Sequence, residues 1–95
     1  ITPFLDAPAW AALLARTTPL RRAFRPVTIF QNDINGLPWG ALPAWRRAGL
    51  RHAWIGINLH AGGHPEPAPA LFAWEGPDGA RLPVYLAYHY NMAYF

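Results

Sequence analysis

Apolar residues fall along this chain in two rhythms, one helical and one of short unbroken runs, and each predicts a different element. Trp10, Leu13 and Leu14 recur at helical spacing, so their shared face is expected in the core. Asp6 offers an N-cap and Pro8 sits in the first turn, predicting a helix that runs to about Ala15. Thr17-Thr18-Pro19 interrupts it, and Thr18 can cap a second short helix over residues 19–24. Arg21, Arg22 and Arg25 then read as a solvated face, and Arg25-Pro26 ends the helix because a residue before proline avoids the α region. Val27-Thr28-Ile29-Phe30 is β-branched and aromatic throughout, which predicts a buried strand. A helix over residues 43–48 follows, opened by Pro43 and closed by Gly49. Residues 51–57 read as a second strand with His52 as a packing residue, and a strand–loop–helix–strand unit makes its strands parallel with a right-handed crossover.

Beyond that unit, Gly62, Gly63, Pro65, Pro67 and Pro69 make residues 61–69 too irregular for a regular element. Residues 71–75 and 81–88 read as strands around Gly76-Pro77-Asp78-Gly79. In that turn proline presets φ, aspartate bonds its own backbone and glycine takes positive φ, so the pair is a β-hairpin. Pro83 places its local segment at an edge or a bulge. The fold class is therefore α/β, with parallel strands and one hairpin. Asp33, Asn58 and His60 all fall just past strand ends, the edge where α/β proteins carry their chemistry.

Composition narrows the partners. Hydrophobic residues make up 53% of the chain, with five Trp, four Tyr and five Phe, which argues for substantial burial. The chain opens on Ile1 rather than methionine and closes on an aromatic run from Tyr88 to Phe95, so residues 1–95 are expected to be part of a larger domain, incomplete at both ends. All eight basic residues are arginine, against five acids, for a net charge of +3. They divide into residues 16–25, residues 46–51 and Arg81 with no sustained stripe, so nucleic-acid binding is not expected. With no cysteine there is no disulfide or thiolate chemistry, and no apolar run approaches the ~18 residues of a membrane span. Compartment and oligomeric state stay open.

Asp33 is the sharpest chemical candidate. It reads either as an Asx-turn residue or as a carboxylate acting as nucleophile or metal ligand, with Asn32 and Asn35 as amide partners. Trp39 beside these polar groups suits a carbohydrate ring, whose C–H face is apolar and whose edge is hydroxylated. Asn58 and His60 join it as substrate-binding candidates, and His89 and Tyr90 face the same pocket from the far strand of the hairpin. His60 and His64 have the spacing to share a metal, though a Gly-Gly loop does not hold them at helical geometry. Glu75 and Asp78 read as solvated hairpin residues, and Glu66 has no assigned role. There is no phosphate-binding glycine loop, no serine nucleophile and no complete acid–base pair.

Gln31-Asn32-Asp33-Ile34-Asn35-Gly36, followed by Pro43 and Ala48-Gly49-Leu50, resembles the segment of glycoside hydrolase family 38, the α-mannosidases, written Q-I-D-P-F-G-H-S…M-P-x-L-L-x-x-A-G-F. Phe72-Ala73-Trp74-Glu75-Gly76-Pro77-Asp78-Gly79 looks like the F-x-W-x-G-x-D-G hairpin of the same family, and the order and spacing of the motifs fit apart from about one extra residue before Pro43. The Asn-Asp-x-Asn-Gly-Leu-Pro-Trp-Gly form is most similar to a divergent, bacterial-type branch. The resemblance implies a segment of a (β/α) barrel-type catalytic domain that hydrolyses α-mannosides or a related α-glycoside with retention. It implies that Asp33 is both the nucleophile and a ligand of a catalytic Zn2+. The general acid would lie downstream of Phe95, and the other zinc ligands would lie upstream of Ile1 and far downstream. Ile34-Asn35 stands where the family has Pro-Phe, and Gly36-Leu37-Pro38 where it has Gly-His-Ser. Asn58-Leu59-His60 and Gly62-Gly63-His64 have no counterpart, so the sugar stays open.

Two other classes compete. One is a non-catalytic carbohydrate-binding segment in which Trp39, Trp54, Trp74 and Tyr90 stack on sugar. The other is a structural segment in which Asp33 makes an Asx-turn and the aromatics are core.

Overall fold

A computed structural model describes residues 5–32, 37–58, 60, 62–63 and 67–88 of the 95-residue chain. The first helix, α1 (Ala7–Arg16), starts where the sequence predicts, with Asp6 Oδ1 accepting the Ala9 N–H at 2.8 Å. Trp10 is buried and Leu14 packs against the core, but Leu13 is 41% exposed, contrary to expectation. Trp10 and Leu14 stand four residues apart on one line of the helix, and α1 buries only that narrow stripe. The second helix, α2 (Thr18–Phe24), takes in Thr18 as its first residue rather than its cap, and Thr17 holds the N-cap position without a side-chain cap bond. Thr17 Oγ1 donates instead to Leu14 O at 2.8 Å, spending the hydroxyl on the helix before it. Arg25 ends α2 in the left-handed region, with φ of 48°.

Strand β1 (Thr28–Gln31) forms, but it is not buried on both faces as its apolar run predicts, since Phe30 remains 63% exposed. Helix α3 (Ala41–Arg47) begins two residues before Pro43, which its first turn tolerates because the missing N–H has no helical partner there. Gly49 closes it at φ 88°, its N–H donating to Arg46 O and the Leu50 N–H to Trp45 O, both at 3.0 Å. Strand β2 (His52–Ile55) then pairs in parallel with β1. His52 is exposed rather than packed, because it points to the face of the sheet that no described element covers.

The hairpin joins β3 (Ala70–Glu75) to β4 (Arg81–Leu86). Gly76 N–H donates to Ala80 O, Asp78 Oδ1 accepts from Ala80 N–H, and Gly79 has φ of 74°, the roles its turn residues predict. The four strands run in the order β1-β2-β4-β3, parallel except for β3. Pro83 sits in an inner strand yet keeps its predicted edge character: β4 pairs there with Ala73 of β3, and its pairing with β2 begins only at Val84. The architecture is thus a small mixed α/β arrangement, and no described helix is long and apolar enough to cross a membrane.

One face of the sheet carries the core. Ala41, Leu42, Ala44 and Trp45 of α3 and Trp10 of α1 bury Ala53, Leu82 and Val84. Trp45 meets Trp10 and Trp74 edge-on, with ring centroids 5.2 and 5.8 Å away, pairs worth about 0.5–1.5 kcal/mol each beyond their buried area. On the opposite face Phe30, Trp54, Tyr85 and Leu71 form one row in register across all four strands. Each is exposed, and no described element covers them.

Candidate functional site

Parallel strands end together, so β1, β2 and β4 deliver their following residues to one edge. Gly56 N–H donates to Gln31 O at 2.8 Å and Ala87 N–H to Ile55 O at 2.7 Å, which carries the pairing past the strand ends and locks the edge in register. Just beyond, Asn32 of the β1 exit, Gly56 of the β2 exit and Tyr88 of the β4 exit converge. The amide of Asn32 fills the space that a Cβ at position 56 would take, and such a Cβ would also lie 3.0 Å from Tyr88 O. Glycine is required here by close approach rather than by φ. Asn32 immediately precedes Asp33, so this three-way contact sets where the chain leaves β1.

Asn58 and His60 follow β2 at the same edge, as predicted. Asn58 Oδ1 accepts the His60 N–H at 2.9 Å, an Asx-turn that commits this oxygen to local structure and leaves the His60 side chain exposed. Asp33, Asn35, His89 and Tyr90 lie outside the described residues, as do His64 and Glu66.

Trp39 is not brought beside Asn58 and His60. Its Nε1 donates to Glu75 O at 2.7 Å. Glu75 pairs with Arg81 at the start of β4, which puts Trp39 about 16 Å from the carboxyl edge at the usual rise per residue. The three described tryptophans proposed as a sugar platform are likewise dispersed. Trp39 lies at the hairpin end, Trp54 on the uncovered face, and Trp74 on the core face against Trp45. On the uncovered face Phe30 and Trp54 meet at 88° and Trp54 and Tyr85 at 62°, so their rings do not form one flat surface for a sugar.

The charged groups sort by end. Glu75 and Asp78 belong to the hairpin end, where Glu75 Oε2 pairs with Arg81 Nε at 2.8 Å and Asp78 holds its turn. Asp6 caps α1. Among the described residues no three His, Cys, Asp or Glu side chains group as a metal site. The described donors at the carboxyl edge are the amides of Asn32 and Asn58 and the imidazole of His60, whereas zinc takes four ligands drawn mainly from His, Cys and carboxylates. Sequence reasoning missed Gly56 and Tyr88. The signal available was Gly56 itself, a glycine at the end of a strand, which marks close approach of another group.

Comparison of the chain with protein-family models, with curated proteins and with solved structures finds no match.

Proposed function

We propose that the chain is part of the catalytic domain of a retaining glycoside hydrolase acting on α-mannosides or a related α-glycoside, with Asp33 as nucleophile. The observation that carries this reading is the parallel β1–α3–β2 unit, which brings the residue before Asp33 to one edge with Asn58 and His60. It joins the resemblance of the Gln31 to Gly36 and Phe72 to Gly79 motifs to α-mannosidases. The uncovered aromatic row supports the barrel-type architecture, because mostly parallel sheets are buried on both faces and a barrel covers one face with its own remaining strands.

In this reading a carboxylate oxygen of Asp33 bonds to the anomeric carbon while a second carboxylic acid, about 5–5.5 Å away, protonates the departing glycosidic oxygen. Water then cleaves the glycosyl ester and restores the carboxylate. Neither Glu75 nor Asp78 can be that acid, since both belong to the opposite end of the sheet. Zinc, implied by the resemblance, would hold sugar hydroxyls with Asp33 as this chain's ligand, and further ligands would have to come from outside the described residues.

The test is Asp33→Asn in the full-length protein, assayed on aryl α-glycosides with zinc content measured in parallel. The expected result is loss of turnover and weakened zinc retention in a folded protein. Full turnover would overturn the assignment. Lost turnover with unchanged zinc would keep the nucleophile and remove the ligand role.

A further inference from the structure

The two larger groups of arginines, apart in sequence, meet in the fold. Val27 O accepts from both Arg51 N–H and His52 N–H, at 2.7 and 3.2 Å, and Arg21 Nη1 donates to Ala48 O at 2.8 Å. These bonds draw the end of α2 against the turn after α3, at the amino ends of β1 and β2. Two hollows open there and share Gly49. One, of about 320 Å3, has Arg21, Arg22 and Arg25 in its wall, and the other, of about 470 Å3, has Arg46 and Arg51.

Arg21 is consumed by structure, but Arg22, Arg25, Arg46 and Arg51 are exposed and carry no ion pair or side-chain hydrogen bond among the described residues. The described acids do not neutralise them. Asp6 caps the far end of α1, and although Glu75 and Asp78 share this end of the sheet, Glu75 is paired with Arg81 and Asp78 bonds its own turn. Nor do the helix dipoles, since two short helices ending here contribute at most about half a negative charge each against four guanidiniums. Arg25 also holds a left-handed conformation, with φ of 48°, directly before Pro26, where glycine would be unstrained. The backbone N–H groups of Gly49, Leu50, Arg51 and His52 are all donated internally. Recognition here therefore rests on guanidinium forks, which match phosphate oxygens in pairs and gain most from a multiply charged anion.

We propose that the two hollows form one site for a small ligand carrying two phosphoryl groups, one held by Arg22 and Arg25 and the other by Arg46 and Arg51. The site lies at the opposite end of the sheet from Asn58 and His60 and is independent of the hydrolase reading.

Inorganic pyrophosphate and inorganic phosphate, titrated calorimetrically into the full-length protein at low salt, test it. Pyrophosphate is expected to bind saturably and about tenfold or more tighter than phosphate. Arg22→Gln and Arg51→Gln, one from each hollow and each checked for native circular dichroism, should each weaken it by about tenfold, while Arg81→Gln at the hairpin leaves it unchanged. Absence of saturable binding, indifference to both substitutions, or equal weakening by Arg81→Gln would overturn the site. An oligonucleotide that binds and is not displaced by pyrophosphate would overturn the ligand class and make the surface a nucleic-acid face.

Discussion

Arg21 and Ala48 lie 27 residues apart and are joined by one hydrogen bond of 2.8 Å from guanidinium to backbone carbonyl. The same side chain also donates to Leu14 O at 3.0 Å and to the hydroxyls of Thr17 and Thr18, both at 3.2 Å. It thereby ties the ends of α1 and α3 through α2. Charged donors to carbonyls contribute about 1.5–3 kcal/mol, so Arg21→Leu should lower stability by that order, read as the urea midpoint. Arg21→Lys should recover only part of it, because an ammonium cannot span divergent acceptors as the fork does.

Gly56→Ala should be damaging at the carboxyl edge. The added methyl meets the Asn32 amide and the Tyr88 carbonyl, one of them backbone that cannot step aside. Overpacking of this kind costs about 1–3 kcal/mol, and the displaced Asn32 should lower the proposed hydrolase turnover with it. Gly63→Ala, where an added Cβ has open space, should leave both the unfolding curve and turnover unchanged.

The buried tryptophans should respond differently to the same change. Trp45 is almost fully buried between Trp10 and Trp74, so Trp45→Ala is expected to cost about 3–5 kcal/mol. Trp10 is also buried, but its Nε1 has no hydrogen-bond partner among the described residues. Trp10→Phe removes an unsatisfied donor worth about 1–3 kcal/mol, which offsets the smaller ring. Chemical denaturation should therefore find Trp10→Phe nearly neutral and clearly milder than Trp45→Phe.

Glu75→Gln breaks the ion pair with Arg81, whose side chains are 54% and 71% exposed. Exposed pairs contribute about 0.2–1 kcal/mol, so the variant should unfold close to the parent and the difference should shrink further in added salt.

The local features of this fold were legible in sequence because their causes are local. Asp6 before Pro8 marks a helix start, Gly49 a helix stop, and Pro77-Asp78-Gly79 a hairpin turn, each decided within four or five residues. What escaped depends on distant partners. Val27 to Phe30 is an apolar run that names a strand but not which of its faces is covered. Arg21 reads like its neighbour Arg22, and only the carbonyl of Ala48, brought back by the crossover, separates a clamp from a solvated charge. Trp39 carries no signal of the hairpin carbonyl that holds it, since that partner is 36 residues away. At the candidate site the shared edge of Asn58 and His60 follows from parallel pairing, whereas the contact of Asn32 with Gly56 follows from packing that no short window contains.

The row formed by Phe30, Trp54, Tyr85 and Leu71 bears on how the polypeptide can be handled. Residues 1–95 produced on their own would, among the described residues, show water a greasy stripe running from one rim of the sheet to the other. Stripes of that kind self-associate, so such a piece should call for a solubilising fusion or mild detergent during purification. Trp54, at the centre of the stripe, would report any sheltering of it as a blue shift in fluorescence.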